Sequence, residues 1–248
     1  MKAPFRGPGQ PERLKGVELA PGIRAIGGHA GGRVHAYLIG QGTELTLIDT
    51  LYETDGRLVF QELRRLGHSL SDLKRIVLTH AHRSHLGGLA ELKRQSGATV
   101  YSHEWEADII AGERKAQAVT ILPRRPLRAY IPFQVGLALG FGKHPPCPVD
   151  ETLVDEDEVG GLRVLHTPGH TPGHLAFYSE EYGVLLSGDS IATWPKFDAG
   201  WPAFNLNPQE QRESIRRMAS LEPKKVGVGH GSPITREAAD RVHGLVQR

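Results

Sequence analysis

The chain has 248 residues, a formal net charge of +2 and a pI of about 8.7. This length can bury one large core, and the basic residues occur as scattered pairs, which argues against a track that binds DNA or RNA. The single cysteine, Cys147, excludes an intramolecular disulfide bond, and the longest apolar stretch, residues 131–141, is too short to span a membrane. We therefore expect a cytoplasmic protein that binds neither nucleic acid nor membrane.

The chain begins with a tail and continues as short strands. Residues 1–16 are rich in proline and glycine and lack an apolar core, so we expect an extended tail rather than a signal peptide, followed by a single domain over residues 17–248. Short apolar runs separated by glycine-rich turns predict three strands, the last of which ends at Asp49. Helix-like segments that end at Gly67 and Gly97 follow.

Three histidines follow the next predicted strand within six residues. The segment Thr-His-Ala-His-Arg-Ser-His-Leu-Gly-Gly, residues 79–88, places His80, His82 and His85 directly after an apolar run. The two-residue period of a strand sends His80 and His82 to the same side, and His85 lies one turn into the next helix, so the three imidazoles can converge on a metal ion. Ser84 stands inside this cluster, where a carboxylate would be a better metal ligand, although a serine is also suited to cap the following helix.

Three later motifs also end or follow apolar, strand-like runs. They are Thr-Pro-Gly-His-Thr-Pro-Gly-His at residues 167–174, Leu-Ser-Gly-Asp-Ser at 186–190 and Val-Gly-His-Gly at 228–231. Because histidine or carboxylate motifs fall at several strand ends rather than one, a chance cluster of histidines is a poor explanation. The alternation of strand-like and helix-like segments predicts two packed sheets with helices outside.

The order of these motifs resembles that of the metallo-β-lactamase superfamily. In that family an aspartate ends an early strand and is followed by His-x-His-x-Asp-His, a Thr-Pro-Gly-His segment, a Gly-Asp turn and a Gly-His-Gly turn. The resemblance runs from about Val34 to the C-terminus, and its single departure is Ser84, which stands where the family has aspartate. It implies an α/β (α+β) fold, the four-layer αβ/βα sandwich, in which two mixed β-sheets are flanked by helices.

The resemblance also implies a set of metal ligands. The residues implied to bind metal are His80, His82 and His170 for one ion, His85 and His230 for the second, and Asp189 as the bridge between them. Asp189 would also orient the metal-bound water. The second ion lacks one carboxylate because of Ser84, so we expect its site to be weak or partly filled. Ser84, Asp49 and His174 are expected to support these ligands without binding metal themselves.

This ligand set implies a metal-dependent hydrolase that acts on a small molecule. Imidazole-rich sites suit Zn²⁺, with iron and manganese as alternatives, and one or two ions are expected. The metal lowers the pKa of bound water to about 7, and the resulting metal-bound hydroxide would attack a small ester, thioester or lactone. Two other functions stay open. One is a mononuclear non-haem iron enzyme similar to persulfide dioxygenases, which would use His80, His170 and Asp189, and the other is a metal-poor protein that binds without catalysis.

Two segments interrupt the predicted alternation of strands and helices. Residues 104–148 contain many prolines around an apolar stretch, and a loop this long inside a compact domain is usually functional. We expect a lid over the metal edge or, alternatively, a surface that forms a homodimer. Trp194 and Trp201 follow Asp189 closely and are expected to line the same cleft, with core packing as the alternative.

Overall fold

The computed structural model describes residues 16–28, 33–115, 131, 135, 142–201 and 204–247. The predicted N-terminal tail, apart from Gly16, lies outside the described residues, and so does the central part of the predicted lid. The tail and the lid therefore stay predictions.

In the described part of the chain the first sheet contains seven strands, and their order across the sheet is their order along the chain. The strands are β1 (Val17–Ala20), β2 (Ile23–Gly27), β3 (His35–Ile39), β4 (Leu45–Ile48), β5 (Leu73–Val77), β6 (Thr99–Ser102) and β7 (Glu151–Thr152). Strands β1 to β4 form an antiparallel meander, whereas β4 to β7 are parallel. The carboxyl ends of β4 and β5 therefore meet at one edge of the sheet.

The second sheet, as far as the structure describes it, contains five strands in the order β12-β11-β10-β9-β8. The strands are β8 (Glu158–Val159), β9 (Leu162–His166), β10 (Leu175–Ser179), β11 (Val184–Leu186) and β12 (Lys225–Gly227). Only β11 and β12 pair in parallel, and the other described neighbours are antiparallel. Both sheets are therefore mixed, as the resemblance implied.

The helices of the described residues begin and end at recognisable signals. They are α1 (Arg57–Arg65), α2 (Arg83–Leu86), α3 (Leu89–Ser96), α4 (Glu104–Ile110), α5 (Pro208–Ala219) and α6 (Ala238–Val246), with short 3-10 turns at Leu70–Asp72 and Gly188–Ser190. The predicted ends of α1 and α3 are confirmed, because Gly67 (φ 80°) and Gly97 (φ 71°) adopt the left-handed conformation that terminates a helix. None of these helices is long and apolar enough to cross a membrane.

Three apolar clusters of described residues separate four layers of secondary structure. One cluster lies between the two sheets and includes Ile48 of β4 and Phe177 of β10. Another packs the outer face of the first sheet, including Leu47, against α1, α3 and α4, and the third packs the second sheet against α5 and α6. Leu47 and Ile48 are neighbours in different clusters because successive strand residues point to opposite faces. The predicted αβ/βα sandwich is confirmed.

Both sheets contribute to the edge that carries the motifs. Asp49 follows β4, His80 follows β5, residues 167–174 follow β9, Asp189 follows β11 and His230 follows β12. The sheets are joined at this edge, where the His35 N–H of β3 donates to the carbonyl oxygen of Gly229 at 2.9 Å. Loops from two separate sheets therefore face one another across a short distance.

Replacing Phe177 by alanine tests the packing between the sheets. The side chain is 0 % exposed, and truncating a buried phenylalanine typically lowers the free energy of unfolding by about 3–5 kcal/mol. Urea unfolding of metal-free protein, followed by circular dichroism, measures the loss. Val154→Ala is the control, because Val154 is 57 % exposed and its truncation should change the free energy of unfolding by less than about 0.5 kcal/mol. Equal losses in the two variants would contradict the packing role of Phe177.

Candidate metal centre

The structure brings together every residue that the motifs predicted as a metal ligand, in two groups that share Asp189. The first group contains His80, His82, His170 and Asp189, and the second contains His85, His230 and Asp189. Within each group, one potential ligand atom from every member lies within 4.8 Å of the others. All of these side chains are buried except that of His82, which is half-buried. Segments that follow strands of both sheets therefore supply each group.

In the first group three ring nitrogens face one another. His82 Nδ1 lies 3.0 Å from His80 Nε2 and 3.0 Å from His170 Nε2. Asp189 Oδ2 lies 3.8 Å from His80 Nε2 and 3.6 Å from His170 Nε2. Ligands that are bound about 2.0–2.1 Å from a tetrahedral Zn²⁺ ion are about 3.3 Å from one another. The spacing of the three nitrogens therefore suits a single ion.

The hydrogen bonds made by the nitrogens that face away from the group determine which nitrogen of each ring carries the hydrogen. His80 Nδ1 lies 2.9 Å from the hydroxyl oxygen of Thr79, and that hydroxyl donates to the Asp49 carboxylate, so His80 Nδ1 is a donor and its Nε2 is an acceptor. His170 Nδ1 likewise donates to Asn205 Oδ1 at 3.2 Å, while the Asn205 amide nitrogen donates to a backbone carbonyl. Both Nε2 atoms in the first group therefore present lone pairs, as metal ligation requires.

Burial keeps these imidazoles neutral. It holds the pKa of His80 well below its ordinary value and lowers the pKa of His82 to about 3, and neighbouring histidines add to both shifts. Burial also lowers the pKa of His170. Neutral imidazole is the form that binds metal, so these three side chains have no proton to lose at neutral pH.

In the second group two buried atoms lack a hydrogen-bond partner among the described residues. His85 Nε2 and Asp189 Oδ1 are 3.3 Å apart, but neither makes a hydrogen bond. His230 Nε2 lies 3.3 Å from the other carboxylate oxygen, Oδ2. An unsatisfied buried polar atom costs about 1–3 kcal/mol, and a cation bound between these residues would satisfy both atoms. The residues present therefore fit a metal ion.

The charges of the second group also favour a cation. Burial disfavours the charged form of His85, yet the carboxylates of Asp189 and Asp49 outweigh burial and raise its pKa to about 10. Burial would raise the pKa of Asp189, but His230 and His85 hold it well below its ordinary value. His85 Nδ1 donates to Asp49 Oδ2 at 2.8 Å, which leaves Nε2 directed at Asp189. The two carboxylates therefore favour a positive charge at His85, which either a proton or a cation bound at Nε2 can supply.

His174 holds the backbone of Asp189. His174 Nε2 accepts a hydrogen bond from the Asp189 N–H at 3.1 Å, and His174 Nδ1 donates to Thr167 Oγ1 at 2.8 Å. A Cβ atom at Gly229 would lie only 2.0 Å from Asp189 Oδ1, so glycine is required for the carboxylate to fit. His174 therefore contacts Asp189 through the backbone and belongs to neither group.

Ser84 lies within helix α2 and does not cap it. The N-cap of α2 is His82, which has extended backbone angles (φ −88°, ψ 143°) and whose side chain makes no capping hydrogen bond. The interpretation of Ser84 as a helix cap is therefore wrong, because the helix begins one residue before it. Ser84 offers a neutral hydroxyl where the family motif has a carboxylate, so the second group, among the residues that the structure describes, consists of two histidines and Asp189.

Aromatic side chains border the second group. The Trp201 ring lies 4.6 Å from the His230 ring, and its neighbours Trp194 and Phe204 lie at 5.6 Å and 5.2 Å. Both tryptophans are half-buried, and neither belongs to a core cluster within the described residues. Trp201 therefore forms a wall beside the site rather than part of the core. Phe204 carried no sequence signal that could have identified it.

Three polar residues of the site were missed by the sequence analysis. Thr79 lies inside the first motif and could have been considered there. Asn205 is 35 residues from its partner His170, and Glu106 is 25 residues from Ala81, whose N–H it accepts. No local pattern indicated either of these two contacts.

The sequence profile described as the metallo-beta-lactamase superfamily matches residues 29–230 of the chain. Among curated relatives, the probable metallo-hydrolase YflN of Bacillus subtilis (strain 168) is 27% identical over 235 residues, which are 89% of this chain and 88% of the relative. A hydroxyacylglutathione hydrolase of Ectopseudomonas mendocina (strain ymp) is 32% identical over 158 residues, which are 62% of this chain and 44% of the relative.

Solved structures agree with these sequence matches. The metallo-beta-lactamase family protein TTHA1429 of Thermus thermophilus aligns with a TM-score of 0.65 and 30% identity, over 93% of this chain and 80% of that chain. The protein TTHA1623, crystallised in a di-iron-bound form, aligns with a TM-score of 0.62 and 26% identity, over 87% of this chain and 95% of that chain. The chain therefore belongs to the metallo-β-lactamase superfamily, the family of metallo-hydrolases that the order of its histidine and aspartate motifs predicted.

Proposed function

We propose that the protein is a metal-dependent hydrolase that cleaves a small ester, thioester or lactone. The observation that carries this proposal is the meeting of three neutral ring nitrogens, with spacings of 3.0 Å, beside a carboxylate that both groups share. Such a constellation binds a divalent cation, and an ion with three protein ligands keeps a coordination position for water or substrate.

The two groups would hold one ion each. The first ion would be held by His80, His82 and His170, and the second by His85 and His230, with Asp189 between the two ions. When bound, an ion such as Zn²⁺ supplies Lewis acidity and lowers the pKa of coordinated water to about 7. Iron is the alternative metal, and the di-iron form of the structurally similar TTHA1623 supports it.

Asp189 is the residue that we assign to the attacking water. Its Oδ2 lies 3.3 Å from His230 Nε2 and 3.6 Å from His170 Nε2, so the carboxylate lies between the groups. Because neighbouring histidines keep Asp189 ionised, it can accept a hydrogen bond from the water and hold it toward the substrate carbonyl. The backbone contact with His174 keeps this carboxylate in place.

The thioester is the substrate class with most support. The Ectopseudomonas mendocina relative is a hydroxyacylglutathione hydrolase, and an acylglutathione is a thioester. This chain spans 44% of that relative, so the likeness supports the type of bond and leaves the acyl group and the thiol undefined. The aromatic wall of Trp201, Trp194 and Phe204 favours an apolar group beside the second ion.

The position of His82 favours hydrolysis over iron-dependent oxygenation. An oxygenase of the predicted kind would use His80, His170 and Asp189 and keep the other positions open. Here His82 Nδ1 lies 3.0 Å from both of the histidine nitrogens of that triad, so a third imidazole fills one of those positions. The partnerless atoms of the second group likewise argue against a metal-poor binding protein.

Metal removal should abolish hydrolysis of a thioester, and added Zn²⁺ or Fe²⁺ should restore it.

We expect His82→Ala to lower kcat/KM by more than about 100-fold, because even loss of an outer partner of a ligand costs about 10–100-fold. Release of thiol from acylglutathiones measures both effects. His68→Ala is the control, because His68 precedes β5 at the opposite edge of the sheet. Oxygen consumption with a persulfide and no thioester cleavage would favour the oxygenase, and activity that survives chelation would contradict the metal centre.

Replacing Ser84 by aspartate should raise the occupancy of the second group. Protein purified without chelators should contain one full equivalent of metal in the first group and less than one equivalent in the second group. A new carboxylate supplies the missing charge, and a charge-assisted contact of about 1.5–3 kcal/mol raises affinity by about 10-fold to 100-fold. Elemental analysis gives the metal content, with Ser71→Asp, at the opposite edge, as the control. Two full equivalents in the unmodified protein would contradict the prediction.

Replacing Trp201 by alanine should weaken the preference for apolar acyl groups. The lost contact with an apolar chain is worth about 1.5 kcal/mol, so kcat/KM for a hexanoyl thioester should fall about 10-fold relative to an acetyl thioester. Tyr182→Ala is the control, because Tyr182 lies in the turn before β11, away from the carboxyl end that carries Asp189. An equal fall with both substrates would show that Trp201 does not contact the acyl group.

A further inference from the structure

We propose that Glu106 is a positioning residue that holds the two loops of the first metal group at a fixed separation. This inference rests on the proposed function, because it requires that the first group bind metal. Glu106 belongs to neither group of potential ligands and therefore acts through the loops that carry them.

The Glu106 carboxylate joins the two loops directly. Its Oε2 accepts the N–H of Ala81 at 3.0 Å, and Ala81 lies between His80 and His82 in the chain. Its Oε1 accepts the hydroxyl of Thr171 at 2.5 Å and the N–H of Gly173 at 3.2 Å, in the loop that begins with His170. One side chain thus receives donors from both loops that supply the first group.

The two loops belong to different sheets and are far apart along the chain, so their spacing depends on noncovalent contacts. Ala81 follows β5 of the first sheet, whereas Thr171 and Gly173 lie between β9 and β10 of the second. Glu106 lies in the first turn of α4, which is anchored in the core under the first sheet by Ile109 and Ile110. The carboxylate therefore connects a loop of the second sheet to a helix that packs against the first sheet.

The surroundings of Glu106 fit this carboxylate closely. The residue is 1 % exposed, and a buried carboxylate is tolerated only when several donors surround it. A Cβ atom at Gly173 would lie 2.8 Å from Glu106 Cγ and 2.9 Å from Oε1, so only glycine allows the loop to approach. The close contact therefore depends on glutamate at position 106 and on glycine at position 173.

Glutamine at position 106 has the shape of glutamate, but only one of the two atoms at the end of its side chain can accept a hydrogen bond. One end of an amide can still accept from Thr171 and Gly173, but the other end is a donor that faces the N–H of Ala81. We expect Glu106→Gln to separate the loops slightly and to weaken binding of the first ion by about 10-fold to 100-fold, the range seen when an outer partner of a metal ligand is lost.

The experiment compares Co²⁺ binding by the unmodified protein, Glu106→Gln and Ile109→Ala. Competition with a chelator gives the affinity for the first ion, the visible absorption of bound Co²⁺ reports its geometry, and thermal unfolding of metal-free protein reports stability. Ile109→Ala is the matched control, because it destabilises the same helix in the core and leaves all three hydrogen bonds between Glu106 and the loops in place. Its affinity and spectrum should match those of the unmodified protein.

A Glu106→Gln protein with weaker Co²⁺ binding and an altered spectrum, alongside an unchanged Ile109→Ala protein, supports the inference. Unchanged affinity and spectrum in Glu106→Gln overturn it and leave the proposed function intact. Absence of Co²⁺ binding in the unmodified protein overturns both. If Glu106→Gln does not fold, Thr171→Val removes one of the three donors and should weaken binding by about 2-fold to 10-fold, and no change would overturn the inference.

Discussion

The buried carboxylate of Asp49 is the constraint on which the metal edge depends. Its Oδ1 accepts the N–H of Thr79 at 2.9 Å, and its Oδ2 accepts the Thr79 hydroxyl at 2.9 Å and His85 Nδ1 at 2.8 Å. A buried charge is stable only with such donors, so the end of β4 fixes the segment that follows β5. The orientation of two imidazoles follows from it, because the Thr79 hydroxyl that donates to Asp49 accepts from His80.

Features that depend on neighbouring residues could be predicted from the sequence. The alternation of a strand explains why Leu47 and Ile48 enter different core clusters and why His80 and His82 reach the same group. Glycines with left-handed backbone angles marked the ends of two helices. The order of the motifs along the chain then located the edge where they meet, since each one follows a strand.

Features that depend on contacts between distant segments could not be predicted. Asn205 orients His170, and Glu106 joins two loops, but neither belongs to a periodic pattern. Many polar side chains have the same local sequence environment, and only the packing of the two sheets decides which are buried beside the site. The start of α2 is a similar case, because His82 takes an extended conformation, and a serine two residues later looked equally suited to cap the helix.

The two groups join residues as far apart along the chain as His80 and His230, and this separation gives bound metal a second consequence. An ion held by loops of both sheets is a cross-link in a protein whose single cysteine can form no internal disulfide. Cross-links across long loops restrict the unfolded chain, and a ligand that binds only the folded state stabilises that state by mass action. Bound metal would therefore stabilise the folded protein as well as supply its reactivity.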